Sequence, residues 1–419
     1  MSIKFIHCSD IHLGKTQYNL PERFDDFRKS FDYIAEYAID KDVDFFLISG
    51  DLFDKRNINA ATLMQATSVL GKLKQANIPV IAIEGNHDKA FRYDRMSWMR
   101  YLQENGFIVL LKPQFDSGRI ELTEWTPENK TGAYIDLDNT RIYGLGYFGA
   151  FGGYYLKQLS KILPNTRDHF AILMFHSGWS KPKGVMFGRV TISELKSARN
   201  KIDYMAMGHW HSRAEYDNWA YIPGAPEYYD LIEPGDKKGF YFVTVEGKNK
   251  SVEFIPSKHR DMFQKIITVS GCSDPKSVYS SVWEKIDFQK LQDMSRPLVR
   301  LTIIGKVNFN VMDINPEVIR NRLKDECDCL FVEVINNINL ITTTNREDGY
   351  ITRSDIERQV LNELINESVE FREQAQKMIE LTMAVKSMSL SRMESSKIVD
   401  FILHSVGDIL PMLKGDRAS

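Results

Sequence analysis

The sequence predicts a layered α/β domain followed by a small α+β module and a helical tail, and three observations carry that reading. Up to about residue 260, short apolar runs alternate with longer amphipathic segments. The runs have strand length, are rich in β-branched and aromatic residues, and are often apolar throughout, as strands covered on both faces are. Beyond that point the pattern shortens to a single strand-helix-strand-helix-strand unit, and from about residue 351 it is helical.

The strands expected in the first unit are 3–8, 43–49, 79–84, 141–145, 170–175, 204–207 and 239–245. Between them, 24–41 and 60–76 repeat apolar residues at helical spacing, and 193–200 does so over a shorter length. The second unit predicts strands at 264–270, 297–305 and 330–334 with helices at 276–285 and 316–327. In the tail, Ser354-x-x-Glu357 and Ser391-x-x-Glu394 have the form of capping boxes, each opening an apolar-periodic segment, with a Ser-rich break at 386–391 between them. That is a helical hairpin. The expected domains are therefore 1–261, 262–345 and 346–419.

Composition narrows the function classes. Lys plus Arg number 54 against 56 for Asp plus Glu, which excludes a polycation that binds nucleic acid by bulk charge. Any such surface must be local. Cys8, Cys272, Cys327 and Cys329 offer neither a disulfide framework nor zinc-ribbon pairs, and Cys327-x-Cys329 reads as two small core residues. A reducing cytoplasm fits that usage. The first apolar run is broken by charge after a few residues, and no stretch of about 18 apolar residues occurs, so neither a signal peptide nor a membrane span is expected.

The chemistry lies just after the strands. Asp10-x-His12 follows the first, Gly50-Asp51-Leu52-Phe53-Asp54 the second and Gly85-Asn86-His87-Asp88 the third. His176 follows the run at 170–175, and Gly208-His209-Trp210-His211 the run at 204–207. Each strand thus delivers a metal-competent side chain at its C-terminal end, where open α/β sheets place their ligand crevice. Asp10 with His12, and His209 with His211, are i, i+2 pairs that share a face in extended chain, and Gly50, Gly85 and Gly208 let the backbone turn tightly. Adjacent Asn86 and His87 point differently, so one can hold a metal while the other meets substrate. His7 reads as a packed strand residue, and His169, His259 and His404 as surface or packing residues.

Oxygen and imidazole donors without thiolate favour manganese, iron or zinc in a reactive site, and they are more ligands than one tetrahedral ion takes. Two ions sharing one carboxylate, roughly 3.5–4 Å apart, would acidify a bridging water and clamp a phosphoryl oxygen. Phosphoester hydrolysis is the reaction class. The other readings are a phosphatase or cyclic-nucleotide phosphodiesterase acting on a small molecule, and a non-catalytic scaffold.

The set Asp10-x-His12, Gly50-Asp51, Gly85-Asn86-His87-Asp88, His176 and Gly208-His209-x-His211 resembles the calcineurin-like metallophosphoesterase superfamily. Within it, 9–14, 50–54 and Lys237-Lys238-Gly239-Phe240 resemble the SbcD/Mre-eleven type DNA-repair nucleases; Asp54 stands where archaeal and eukaryotic members often carry His and bacterial ones commonly Asp. The resemblance implies a four-layer αββα sandwich with a small α+β cap and a C-terminal helical hairpin. It implies Asp10, His12, Asp51 and His211 around one metal, and Asp51, Asn86, His176 and His209 around the other, with His87 unligated beside the scissile phosphate. It implies two manganese ions, with iron or zinc as substitutes, and cleavage of DNA. It also implies a homodimer and a coiled-coil ATPase of the SbcC/Rad-fifty type on the C-terminal helices, while the composition points to no membrane and a cytoplasmic place of action.

DNA-contact candidates are less specific. Arg92, Arg95 and Arg100 with Tyr93, Trp98 and Tyr101 form a basic-aromatic patch, whereas Met96, Met99 and Leu102 at helical spacing suggest a dimer face in the same region. The segment 147–155, rich in Gly and aromatics, reads as a strand-to-helix connection, and Lys181, Lys183 and Arg189 as phosphate contacts or solvated surface.

Overall fold

The computed structural model describes residues 2–91, 93–165, 168–180, 188–233, 237–340, 357–358, 361–362, 365, 374–390, 398–402 and 405. They fall into two compact units, Met1–Ile341 and Thr342–Ser419.

The first unit is built on two six-stranded sheets. In one, the parallel strands Ser2–Cys8, Phe45–Ile48, Val80–Ala82 and Val109–Leu110 continue into antiparallel Gly239–Glu246 and Asn249–Pro256. The other runs Ala214–Tyr216, Ala220–Ile222, Tyr204–Gly208, Phe170–His176, Thr140–Gly146, Tyr134–Leu137, parallel through its middle and antiparallel at both edges.

Three apolar layers hold this together. Phe5, Phe45, Leu47 and Ile81 of the first sheet meet Ile172, Met174, Tyr204 and Tyr221 of the second in a buried seam. On the outer face of the first sheet, Ile6, Phe46 and Ile48 pack against Phe31 and Ile34 of helix Pro21–Asp40 and Val69 and Leu73 of helix Ala60–Gln75. On the outer face of the second, Leu173 and Phe175 pack against Leu156 and Leu159 of helix Gly152–Ile162 and Leu195 of helix Ile192–Lys196. Helix, sheet, sheet, helix is the four-layer sandwich. The central strands are buried on both faces, which is why they read as unbroken apolar runs.

Residues beyond 261 form their own three-stranded parallel sheet, Met262–Val269, Leu298–Val307 and Phe331–Leu340, with helices Pro275–Lys285 and Pro316–Cys327. Its core contains Cys272, Cys327 and Cys329 as small apolar residues. This cap sits on the sandwich through Leu231, Leu298 and Leu330 and a Tyr18–Phe331 stack with ring centroids 3.9 Å apart.

Three details differ from the sequence reading. Met99 and Leu102 of helix Trp98–Glu104 are fully buried in their own domain, leaving only Met96 of that trio exposed. Spacing alone cannot say which apolar face a helix buries. The segment 147–155 is the strand-to-helix connection expected, but it is shorter: after a 3-10 turn at Gly149–Phe151, helix Gly152–Ile162 already begins. In the tail, residues 386–390 belong to helix Ala375–Leu390, since interior serines cost a helix only a few tenths of a kcal/mol relative to alanine. Ser354, Ser391 and Glu394 of the expected capping boxes, and His404, lie outside the described residues.

Candidate metal centre

Both sheets present their parallel strands' C-terminal ends to one crevice. Asp10 and His12 follow Ser2–Cys8, Asp51 follows Phe45–Ile48, and Asn86 and His87 follow Val80–Ala82, all from the first sheet; His176 ends its strand and His209 and His211 follow Tyr204–Gly208 in the second. The turns that aim them are strained. Asp10, His12, Asp51 and His209 have φ of 54°, 52°, 53° and 85°, a left-handed region that Asp and His enter more readily than most residues but still at some cost.

Glycine appears for two reasons. Gly50 has φ +91°, and a Cβ there would lie 2.3 Å from His176 Nδ1. Gly85 has an ordinary φ, so it is kept for space rather than for the turn expected of it: an added Cβ would fall 2.0 Å from Asp51 Oδ1.

The side chains touch one another in a continuous network. The backbone N–H of His209 donates to both oxygens of Asp10 at 3.1 and 3.0 Å. His12 Nε2 and His211 Nε2 are 3.2 Å apart. His176 Nε2 lies 3.1 Å from Asp51 Oδ2 and 3.2 Å from Asn86 Oδ1, which is also 3.0 Å from His209 Nδ1. The His87 N–H donates to Asp51 Oδ1 at 2.8 Å. Ligand atoms of Asp10, His12 and His211 converge within 4.8 Å of one another, as do those of Asp51, His176 and His209. The same holds for a third trio, His12, Asp54 and His87.

This donor set fits a cation. His176 Nδ1 is 2.7 Å from the Ser49 carbonyl, so it carries the proton and donates. In the neutral ring the Nε2 lone pair then faces two oxygens, which only positive charge at that position can reconcile. A second proton on His176 supplies it in the isolated chain: burial opposes that proton, but Asp51 and then Asp10 outweigh it and raise the pKa to about 9. A metal ion among the same atoms would serve instead. His12 and His209 are already in the ligating neutral form, burial pulling the first well down and the second to about 3. Asp10 and Asp51 are almost wholly buried, and carboxylates so placed need cationic partners. For Asp51, His176 overcomes the burial penalty and holds the group below the usual carboxylate range.

Other residues around the crevice have roles that escaped sequence reasoning. Asp88 is buried and accepts from the N–H groups of Asp51 (2.7 Å), Gly85 (3.0 Å) and Phe53 (3.1 Å), locking together the loops that carry Asp51 and Asn86. Burial raises its carboxyl to about 7. Tyr229 lies against the rings of His12 and His211, at 4.5 and 4.2 Å between centroids, with Lys15 Nζ 3.3 Å above its ring. Glu233 accepts from His211 Nδ1 at 2.9 Å and is held by Lys238 Nζ at 2.5 Å, which fixes the tautomer that leaves His211 Nε2 free. The segment bearing Tyr229 and Glu233 is tied to the cap, where Gln264 Nε2 donates to the carbonyls of Leu231 and Glu233 at 2.5 and 2.7 Å. It is tied to helix Pro21–Asp40 by buried Arg23, which donates to Glu227 Oε1 and to the Tyr228 carbonyl. Loss of an orienting carboxylate typically costs 10–100-fold in metal affinity. Glu233→Gln is therefore expected to raise the Kd for Mn²⁺ about tenfold or more, read by calorimetry, while leaving turnover at saturating metal within a few fold; an unaltered Kd would show that Glu233 does not orient His211.

Histidines outside the centre have other partners. His7 is fully buried between Tyr204 Oη (2.9 Å) and the Met207 carbonyl (3.1 Å), and burial lowers its pKa to about 3. His169 lies 3.4 Å from Asp168, and His259 packs edge-on to Tyr228. Of the DNA-contact candidates, Arg100 is engaged with Glu104 and the Lys130 carbonyl at 2.7 Å each. Arg92, Lys181 and Lys183 lie outside the described residues.

Crevice, donor set and layered fold define a metal-dependent hydrolase acting on phosphoester bonds. The model of the calcineurin-like phosphoesterase family matches residues 3–213, and the chain belongs to that family. Its similarity to curated proteins is more particular. It is 29% identical over 337 residues to the DNA double-strand break repair protein Mre11 of Archaeoglobus fulgidus, covering 71% of this chain and 72% of that one. To the protein of the same name from Sulfolobus acidocaldarius it is 29% identical over 317 residues, covering 73% and 76%. To that of Methanosarcina acetivorans it is 36% identical over 321 residues, covering 72% of this chain and 46% of that longer one.

Proposed function

We propose that the protein is a DNA nuclease that processes double-strand breaks, hydrolysing phosphodiester bonds at a centre of two divalent metals, physiologically manganese. The observation that carries this reading is the length of the similarity to the double-strand break repair proteins. It extends beyond the family match at 3–213 and takes in most of both chains in two relatives. A small-molecule phosphatase would need only the crevice.

In this reading Asp10, His12, Asp51 and His211 would hold one ion and Asp51, Asn86, His176 and His209 the other, with Asp51 contributing to both. Bound there, such ions would supply an acidified water and charge stabilisation on the phosphoryl oxygens. The chain does the rest. Main-chain and carboxylate hydrogen bonds from Ser49, Glu233 and Asp88 hold the ligands in place before substrate arrives. His87, aimed by its bond to Asp51, stabilises charge at the phosphate or gives a proton to the leaving oxygen. The cap at 262–345 helps hold DNA over the centre, and the helices at 346–419 dock on a coiled-coil ATPase. Pairing of two chains belongs to the same reading, with Tyr93 and Met96 exposed just before helix Trp98–Glu104. Among the described residues no helix is long and apolar enough to cross a membrane, and the cytoplasm is the proposed place of action.

The test sets Mn²⁺-dependent degradation of end-labelled DNA, double- and single-stranded, against hydrolysis of a chromogenic phosphomonoester. The nuclease reading expects the first to proceed and to stop with a chelator. Hydrolysis of the monoester with intact DNA would overturn it.

A further inference from the structure

Beside the metal centre, and outside its ligands, lies a cavity of about 570 Å³. Its walls include three strand-end segments, Glu84, Lys89 and Ala90 around the Asn86-His87 loop, 110–115 and 145–148, and are completed by residues between Arg95 and Arg100 and by Lys130 and Thr131. Tyr147 forms the partition between cavity and centre, with its ring 5.4 Å from that of His209 and 5.9 Å from that of His176. Whatever enters the cavity is therefore a near neighbour of anything bound at the metals.

The lining has two kinds of surface. Phe115, Tyr147 and Phe148 make an aromatic wall, with Phe115 and Phe148 edge-on at 5.8 Å. Cations stand over and around it: Lys89 Nζ is 5.6 Å from the Tyr147 ring centre and 5.2 Å from that of Phe148, and Arg95 and Lys112 line the same space. Lys112 is paired with Glu84 at 3.1 Å. Lys89 and Arg95 have no ion pair among the described residues, although burial pulls the Lys89 pKa down and so disfavours its charge when it stands alone. A half-buried lysine over aromatic faces, next to an unpaired arginine, is suited to a ligand that is planar at one end and anionic at the other. A void filled only by apolar packing would not be rimmed with charge.

The geometry points to a nucleotide subsite: the cavity takes the base of the nucleotide flanking the scissile phosphate, stacked on the Phe148 wall, with its other phosphate on Lys89 and Arg95. This rests on the nuclease reading and deepens it. A base can enter such a side pocket only after leaving its own stack, so the site favours an unpaired or frayed nucleotide over a fully paired one. Base stacking on an aromatic side chain and phosphate contact to a cation are sequence-tolerant, so no preference among the four bases follows.

The experiment uses the full chain with Mn²⁺ and compares turnover of a single-stranded oligonucleotide with that of bis(p-nitrophenyl) phosphate, a diester without a base. Phe148→Ala and Lys89→Gln are each expected to lower the ratio of oligonucleotide to small-diester kcat/KM about tenfold, mainly through KM for DNA. They should also abolish the quenching of an oligonucleotide carrying 2-aminopurine when the chain binds it without metal. If Phe148→Ala fails to fold, as loss of small-diester turnover would show, the rim substitution Lys89→Gln decides alone. A ratio and a quench unchanged in the folded variants would overturn the subsite while leaving the nuclease intact. A parent chain that hydrolyses the small diester and leaves DNA whole would overturn both.

Discussion

Asp51→Asn is expected to lose metal binding and, with it, roughly a thousandfold or more of phosphodiester turnover. The substitution is close to isosteric, and Asn tolerates the left-handed backbone at φ 53° as well as Asp does, so the turn itself should survive. What changes is charge. Asp51 Oδ2 faces His176 Nε2 at 3.1 Å and Oδ1 accepts the His87 N–H at 2.8 Å, so one carboxylate couples the ligands of the second sheet to the loop that carries the catalytic candidate. An amide can keep the second contact but brings no negative charge to the first. The two proposed ions would then repel each other with nothing between them. Metal content after dialysis against Mn²⁺, together with a thermal melt, checks this. The parent should melt higher with Mn²⁺ than without, and the Asp51→Asn variant should show no such rise and should melt below the metal-free parent, since His176 loses the buried carboxylate that faces it. Parental metal content in the variant would show that Asp51 is not the shared ligand.

How far the sequence carries this is best seen residue by residue. The strands at Phe170–His176 and Tyr204–Gly208, and Ser2–Cys8 from Phe5 onward, are legible because they are buried on both faces and their composition has no competing explanation. The crevice is legible for the same reason: polar residues stand directly after apolar strands, and only function puts Asp and His there. Edge strands such as Val109–Leu110 and Ala214–Tyr216 are too short to show a period. Helix Gly152–Ile162 is hidden by its two opening glycines, which lower its apparent propensity; a Cβ at Gly153 would sit 2.3 Å from the Glu194 carboxyl group. Glu233 is the harder case. It lies next to Pro234-Gly235 and looks like loop solvation, and its contact with His211 spans 22 positions. Support for a ligand is made in three dimensions and leaves no local pattern. Asp88 shows the reverse: its place in Gly85-Asn86-His87-Asp88 is conspicuous in sequence, but only the structure shows that it serves backbone N–H groups rather than a metal.

His87→Gln should separate binding from chemistry, retaining metal while losing about 10²–10⁴-fold in turnover, the range a positioned proton donor or acceptor supplies. His87 Nδ1 is 2.6 Å from the Asp54 carbonyl oxygen, so Nδ1 carries a proton and donates there, leaving Nε2 as the working end. Its ring stands edge-on to that of His12, at 5.0 Å and 88°, beside the ligands. Glutamine keeps the main-chain N–H that serves Asp51 and so preserves the loop; it cannot take or give a proton near neutral pH. The alternative is built into the same corner, because ligand atoms of His12, Asp54 and His87 also lie within 4.8 Å of one another, and His12 Nδ1 and Asp54 Oδ1 are both buried without a hydrogen-bond partner. If an ion uses that trio, His87 is a ligand and its loss lowers metal content along with rate. Two ions per chain with a collapsed kcat assign His87 to the chemistry, one fewer ion assigns it to the metal, and a full nuclease rate in the variant removes it from both.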